Sequence, residues 1–140
     1  MASGNGVEAL KGTWDYVDGE NFEDFLKEVG VGMVMRKVAK NVKPRLTISE
    51  KDGKWTLRSE STLKTTTTEF IPGVEFTETT ADGQEVTGTV RFENGKWIQM
   101  MRDKNGKETV VTRFINDQGQ QHVTMDCGKV KAYRLFKRIE

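Results

Sequence analysis

Arg113 and Arg134 are the residues whose type and setting point most directly to chemistry. Arg113 lies in Thr109-Val110-Val111-Thr112-Arg113-Phe114-Ile115, and Arg134 in Val130-Lys131-Ala132-Tyr133-Arg134-Leu135-Phe136. Both stretches read as strands, in which side chains two apart share a face. Arg113 therefore shares a face with Val111 and Ile115, and Arg134 with Val130, Ala132 and Phe136. The other face of the second stretch carries Lys131, Tyr133, Leu135 and Lys137, a solvated composition that turns Arg134 inward. An internal guanidinium without an anion costs on the order of several kcal/mol. Few Asp or Glu positions face these strands, so a ligand carboxylate held by the planar fork of Arg would supply the partner. Pairing of both arginines with strand glutamates at the surface is the alternative that the pattern leaves open.

Catalytic equipment is sparse. His122 is the one histidine and Cys127 the one cysteine, so any nucleophile–base device would need His122, which reads as an ordinary strand residue near a turn. No His/Cys/carboxylate cluster has metal-ligand spacing, no phosphate loop or dinucleotide fingerprint is present, and Gly30-Val31-Gly32 is a helix connector. No catalytic residue, metal or cofactor is expected, and the chain is not expected to be an enzyme; an isomerase of a bound ligand with His122 as its base is the enzymatic alternative.

The elements that must position the arginines follow from periodicity. Thr13 to Asp18 alternates as a strand. Phe22, Phe25, Leu26 and Val29 then fall on one face of a helix, with Asn21 as N-cap and Gly30 as the stop. A second helix follows, with Val31, Val34, Met35, Val38 and Val42 on one side and Arg36, Lys37 and Lys40 on the other, ending at Pro44. The basic side is a solvated face or a site of attraction to anionic lipid, where each cation is worth about 1 kcal/mol; the apolar side is expected to pack as a lid. From Arg45 onward the chain is strand and turn. Glycines at 73, 83, 95, 106, 119 and 128 mark consecutive hairpins, and an unmarked turn is expected near Ser61 to Lys64. About ten strands result, in an antiparallel meander that does best by closing into a barrel around a small-ligand cavity.

Composition agrees. Hydrophobic residues, Gly not counted, make up 35% of the 140 residues, against roughly 45–50% in ordinary domains when Gly is counted with them, which is read as room for a partly polar interior. The net charge of +1 argues against nucleic acid as the main partner. One cysteine fits a reducing compartment, and the first residues show no signal-peptide pattern, so a cytoplasmic protein is expected. Residues 1–11 read as a flexible leader and 12–140 as one domain.

The sequence resembles the intracellular lipid-binding proteins, especially their fatty-acid-binding branch. The stretches that carry the likeness are Gly12-Thr13-Trp14, Glu20-Asn21-Phe22, Lys27 to Gly32, Arg36 to Ala39, Lys43-Pro44, Ser59 to Lys64, Glu75-Phe76 and Thr80 to Asp82, in family order and spacing. The resemblance implies an all-β, ten-stranded up-and-down barrel (β-clam), with a helix-turn-helix lid over about 21–43 inserted after the first strand. It also implies a carboxylate-binding Arg…Arg-x-Tyr triad, whose positions are Arg113, Arg134 and, departing from the pattern, Phe136. Tyr133 cannot substitute, because its parity places it on the other face. Cavity positions implied are Phe22, Phe25, Ala39, Pro44, Ser59, Ser61, Leu63, Ala81, Asp82 and Met125. The function implied is a monomeric carrier of a long-chain fatty acid, with transient membrane contact through Arg36, Lys37 and Lys40. A retinoic-acid or bile-acid carrier, or a membrane-bridging structural protein of the same fold, are the alternatives.

Overall fold

The computed structural model describes residues 4–79 and 83–139. After a short helix α1 (Gly4–Glu8) come strand β1 (Gly12–Glu20) and the helices α2 (Phe22–Glu28) and α3 (Met33–Ala39). Nine further strands follow: β2 (Arg45–Lys51), β3 (Lys54–Glu60), β4 (Thr65–Phe70), β5 (Phe76–Thr79), β6 (Glu85–Glu93), β7 (Lys96–Asp103), β8 (Glu108–Ile115), β9 (Gln121–Cys127) and β10 (Val130–Arg138). They form one antiparallel sheet in the order β4-β3-β2-β1-β10-β9-β8-β7-β6-β5. The expected ten-strand meander with its helical insertion is therefore the architecture.

The first strand pairs with the last, for instance Tyr16 opposite Phe136. That closure rolls the sheet into a barrel, leaving β4 and β5 as neighbours without a backbone ladder. Side chains bridge the seam: Thr68 Oγ1 donates to Glu78 at 2.6 Å, and Phe70 stacks on Phe76 at 5.8 Å. The expected turn at Ser61 to Lys64 is present, with the Ser61 hydroxyl accepting from the backbone N–H of Leu63 and Lys64.

The lid helices start and stop for different reasons. Asn21 occupies the N-cap position of α2, but it sits in the left-handed region (φ 62°) and its side chain makes no capping bond. Its Nδ2 donates instead to the Lys131 carbonyl at 3.1 Å, tying the lid to β10. Gly30, at φ 101°, permits the reversal that ends α2. In α2 the predicted face packs inward, with Phe25 buried and Phe22, Leu26 and Val29 half-buried. In α3 it does not: Val31 before the helix is buried, but Val34 is 80% exposed and Met33 64%.

The first eleven residues are not a loose leader from Gly4 on. Val7 and Leu10 are buried against Ile48, Trp55, Val90 and Trp97, one helical turn apart so that both reach the barrel. Gly6 touches the β6–β7 turn so closely that a Cβ there would stand 2.5 Å from the Gly95 Cα. Arg138 donates to the carbonyls of Ala9 and Lys11. A turn of helix thus plugs the barrel end opposite the lid.

Candidate ligand-binding site

Alternation along β8 and β10 sends both arginines into the barrel. In β10, Ala132, Arg134 and Phe136 are buried, while Lys131 and Lys137 are exposed. Arg134 lies between two aromatic faces, its Cζ 4.1 Å from the Phe22 ring centroid and 4.5 Å from that of Tyr16. Its Nη2 donates to the Val42 carbonyl at 3.0 Å. Arg113 donates through Nη1 to Gln121 Oε1 at 3.1 Å, and its Cζ lies 5.7 Å from the Trp97 ring centroid. The Nε atoms of both arginines are buried without a hydrogen-bond partner among the described residues.

Electrostatics reflect that burial. Loss of water pushes Arg113 down to about 10; the carboxylate of Glu78 opposes the shift and the charge of Arg134 adds to it. Burial also lowers Arg134, against a favourable hydrogen-bonding and electrostatic contribution from Tyr16. Glu78 is a carboxylate that strand parity had not brought forward. Its oxygens already accept from Thr68 and Gln99, so it compensates part of the field without pairing to either guanidinium. Two interior cations facing one such anion leave a net positive charge, which suits a monoanionic guest.

Between the lid and the barrel mouth lies an apolar cavity of about 260 Å³. Phe25, Ala39 and Leu63 line it, together with Leu26, Val29 and Met35 of the lid and Val86, Met101, Thr109 and Val111 of the wall. Neither arginine belongs to that lining, so the guanidinium pair lies apart from the cavity. Other expected cavity residues have different surroundings. Phe22 covers Arg134, Met125 is packed in the core with Trp14 and Phe136, Pro44 is buried and Ser59 half-buried beyond the lining, and Ser61 is engaged in its turn. Ala81 and Asp82 lie outside the described residues. Phe136 is buried and stands edge-on to Tyr16 at 5.8 Å.

Three polar residues were missed. Gln121 is fully buried in β9, where Val123, Met125 and Cys127 share its inward face; a lone amide on an apolar face was the available signal. Glu78 gave none, because β5 is only four residues long; Tyr16 shares the face of Trp14 two residues before it, which was the available signal, and the register shift comes only after it. His122 is an outward strand residue stacked on Phe114 at 5.0 Å, and burial lowers its pKa.

The basic residues of α3 are partly engaged within the lid. Arg36 Nη1 donates to the Val31 carbonyl at 2.7 Å, and Lys37 and Lys40 each sit 3.6 Å from the Glu23 carboxylate. No helix among the described residues is long and apolar enough to cross a membrane.

Residues 11–139 match the Lipocalin / cytosolic fatty-acid binding protein family. The chain belongs to that family. It is 40% identical to the fatty acid-binding protein homolog 5 of Caenorhabditis elegans, covering 94% of this chain and 98% of that protein. It superposes on the Schistosoma mansoni fatty acid binding protein in complex with arachidonic acid with a TM-score of 0.90, at 29% identity over 96% of this chain and 99% of that one. A tyrosine-to-phenylalanine mutant of the REP1-NXSQ fatty acid transporter gives a TM-score of 0.88 at 36% identity, over 94% of this chain and 99% of that one. This fatty-acid binding protein family consists of binding proteins rather than enzymes.

Proposed function

We propose that the protein is a carrier for one long-chain fatty acid or similar carboxylate lipid. The observation that carries this is the inward pair Arg113 and Arg134, each with a buried Nε that has no hydrogen-bond partner among the described residues, with the Glu78 carboxylate acting on Arg113 alone. The carboxylate accepts charge-assisted hydrogen bonds from the guanidinium pair, while the tail lies along the apolar lining beneath α2 and α3. Tail burial supplies most of the affinity, at about 25 cal/mol per Å² before association costs, and the arginines select acids and fix orientation.

The exposed Met33 and Val34 beside Lys37 and Lys40 support a lid that touches anionic membranes during exchange, with apolar side chains entering the interface and lysines meeting headgroups. A monomer acting in the cytoplasm agrees with the family and with a cavity held within one chain.

Comparison of oleic acid with oleyl alcohol tests the anchor. Wild type should bind the acid more tightly, and Arg134→Gln should remove that preference while leaving alcohol binding nearly unchanged. Equal losses for both ligands would refute it.

A further inference from the structure

The family pattern places a phenolic hydroxyl beside the two arginines, and here position 136 is phenylalanine. Directly across the β1–β10 ladder from Phe136 stands Tyr16, an inward residue of β1 whose ring meets Phe136 edge-on. The register shift after Tyr16 absorbs Val17, so that Gly19 becomes the inward residue opposite Arg134. Having no side chain, Gly19 leaves a niche: a Cβ there would stand 2.7 Å from the Tyr133 carbonyl oxygen, 3.1 Å from Tyr16 Oη and 3.3 Å from Arg134 Cγ. The Tyr16 hydroxyl therefore lies over Gly19, alongside the stem of Arg134, whose Cζ is 4.5 Å from the Tyr16 ring centroid. Tyr133, the other tyrosine, is on the outer face and has no access to this point.

We infer that Tyr16 supplies, from the neighbouring strand, the hydroxyl that position 136 lacks, making it a specificity-determining residue for carboxylates. A phenol oxygen accepts and donates at once: it accepts from the Arg134 guanidinium and turns its own O–H toward the carboxylate held there. Bulge, glycine and tyrosine form one device, because without the bulge Val17 parity would not bring Gly19 inward, and without Gly19 the hydroxyl would have no room. The favourable contribution of Tyr16 to the charged form of Arg134 agrees with this arrangement. The inference rests on the proposed carboxylate anchor and adds a third member to it.

Affinities of the full chain for oleic acid and oleyl alcohol, measured for wild type, Tyr16→Phe, Phe136→Tyr and the double variant, test the assignment. Tyr16→Phe should weaken the acid by about tenfold, the loss of one hydrogen bond to a charged group, and leave the alcohol within about twofold of wild type by the same reasoning. Adding Phe136→Tyr should recover most of that loss in the Tyr16→Phe background and change little in wild type. An unchanged acid affinity in Tyr16→Phe, equal losses for both ligands, or the same gain from Phe136→Tyr in both backgrounds would overturn it. If Arg134→Gln discriminates acid from alcohol and Tyr16→Phe does not, only Tyr16 fails; if Arg134→Gln does not discriminate, the anchor fails and Tyr16 with it. A second readout needs no substitution. With ζ-carbon-labelled tyrosine, the Tyr16 resonance should move on addition of oleic acid and hold still with oleyl alcohol, with Tyr133 as internal control; the same shift with both ligands would contradict the assignment.

Discussion

The two ends of the barrel are built on opposite terms. At the end closed by α1, Trp55, Phe70, Phe92 and Trp97 contact one another at ring separations of 4.9 to 6.5 Å, with Val7, Leu10, Ile48 and Val90 filling the remaining space. At the lid end, α3 buries none of its residues and apolar side chains border a cavity. Dry, close-packed aromatic surface supplies stability at one end; at the other, stability is given up so that a guest can supply the missing contacts. The arginines lie between the two regimes, tied to the closed end through Trp97 and to the lid through Phe22 and Val42.

The contrast can be broken most forcefully at Trp97. Trp97→Ala should cost about 3–5 kcal/mol in urea unfolding, whereas Val34→Ala on α3 should stay within about 0.5 kcal/mol; comparable losses would erase the distinction. Next in size, Leu10→Ala should cost about 2–5 kcal/mol while the preference for acid over alcohol survives, since α1 plugs the end away from the lid. A loss below about 0.5 kcal/mol would return residues 4–11 to the status of a leader.

Arg113→Met should do the reverse, raising ligand-free stability by about 1–3 kcal/mol while abolishing acid selectivity, because a desolvated charge is removed. The pH dependence has a definite sign. Burial pushes Arg113 down to about 10 in the folded chain, well below the ordinary guanidinium value, so above pH 10 the unfolded chain holds the extra proton and folding becomes more favourable as pH rises. The stability gap between wild type and Arg113→Met should therefore narrow through that window; a widening gap would contradict the burial of the charge. The smallest effect belongs to the pair Lys107–Glu28, which joins β8's preceding turn to α2 at 2.5 Å with both groups over a third or about a third exposed. Lys107→Gln should change stability by at most about 1 kcal/mol, yet speed fatty-acid exchange at low salt and less so at high salt. Salt-independent exchange would remove this pair from the lid's closure.

What the sequence made legible was whatever repeats. Turn glycines about ten residues apart set out the hairpins, while period-two alternation put Arg113 and Arg134 on apolar strand faces and left surface pairing open until the family resemblance favoured the inward one. The illegible parts are those that break a period. Val7 and Leu10 are too short a pair to announce a helix, and only the hydrophobic barrel end gives them a place to go. The bulge at Val17 reverses the parity of β1, hiding the meeting of Gly19, Tyr16 and Arg134. Glu78 sits on a four-residue strand at the seam, too short for alternation to announce its face, which only its pairing with Val86 of β6 assigns. The apolar side of α3 follows helical spacing faithfully and is nonetheless half unburied, because periodicity reports which side chains share a face and not whether anything covers it.

The central claim is that a guest's carboxylate meets two buried guanidinium groups. Carboxyl-labelled oleic acid bound to the protein provides the most direct test, followed by carbon resonance across a pH titration. Two buried cations should hold the bound carboxyl ionised about 1–3 pH units below its ordinary midpoint, with that depression abolished in Arg113→Met. A carboxyl that titrates at its ordinary value, indifferent to Arg113, would place the headgroup in water and contradict the account.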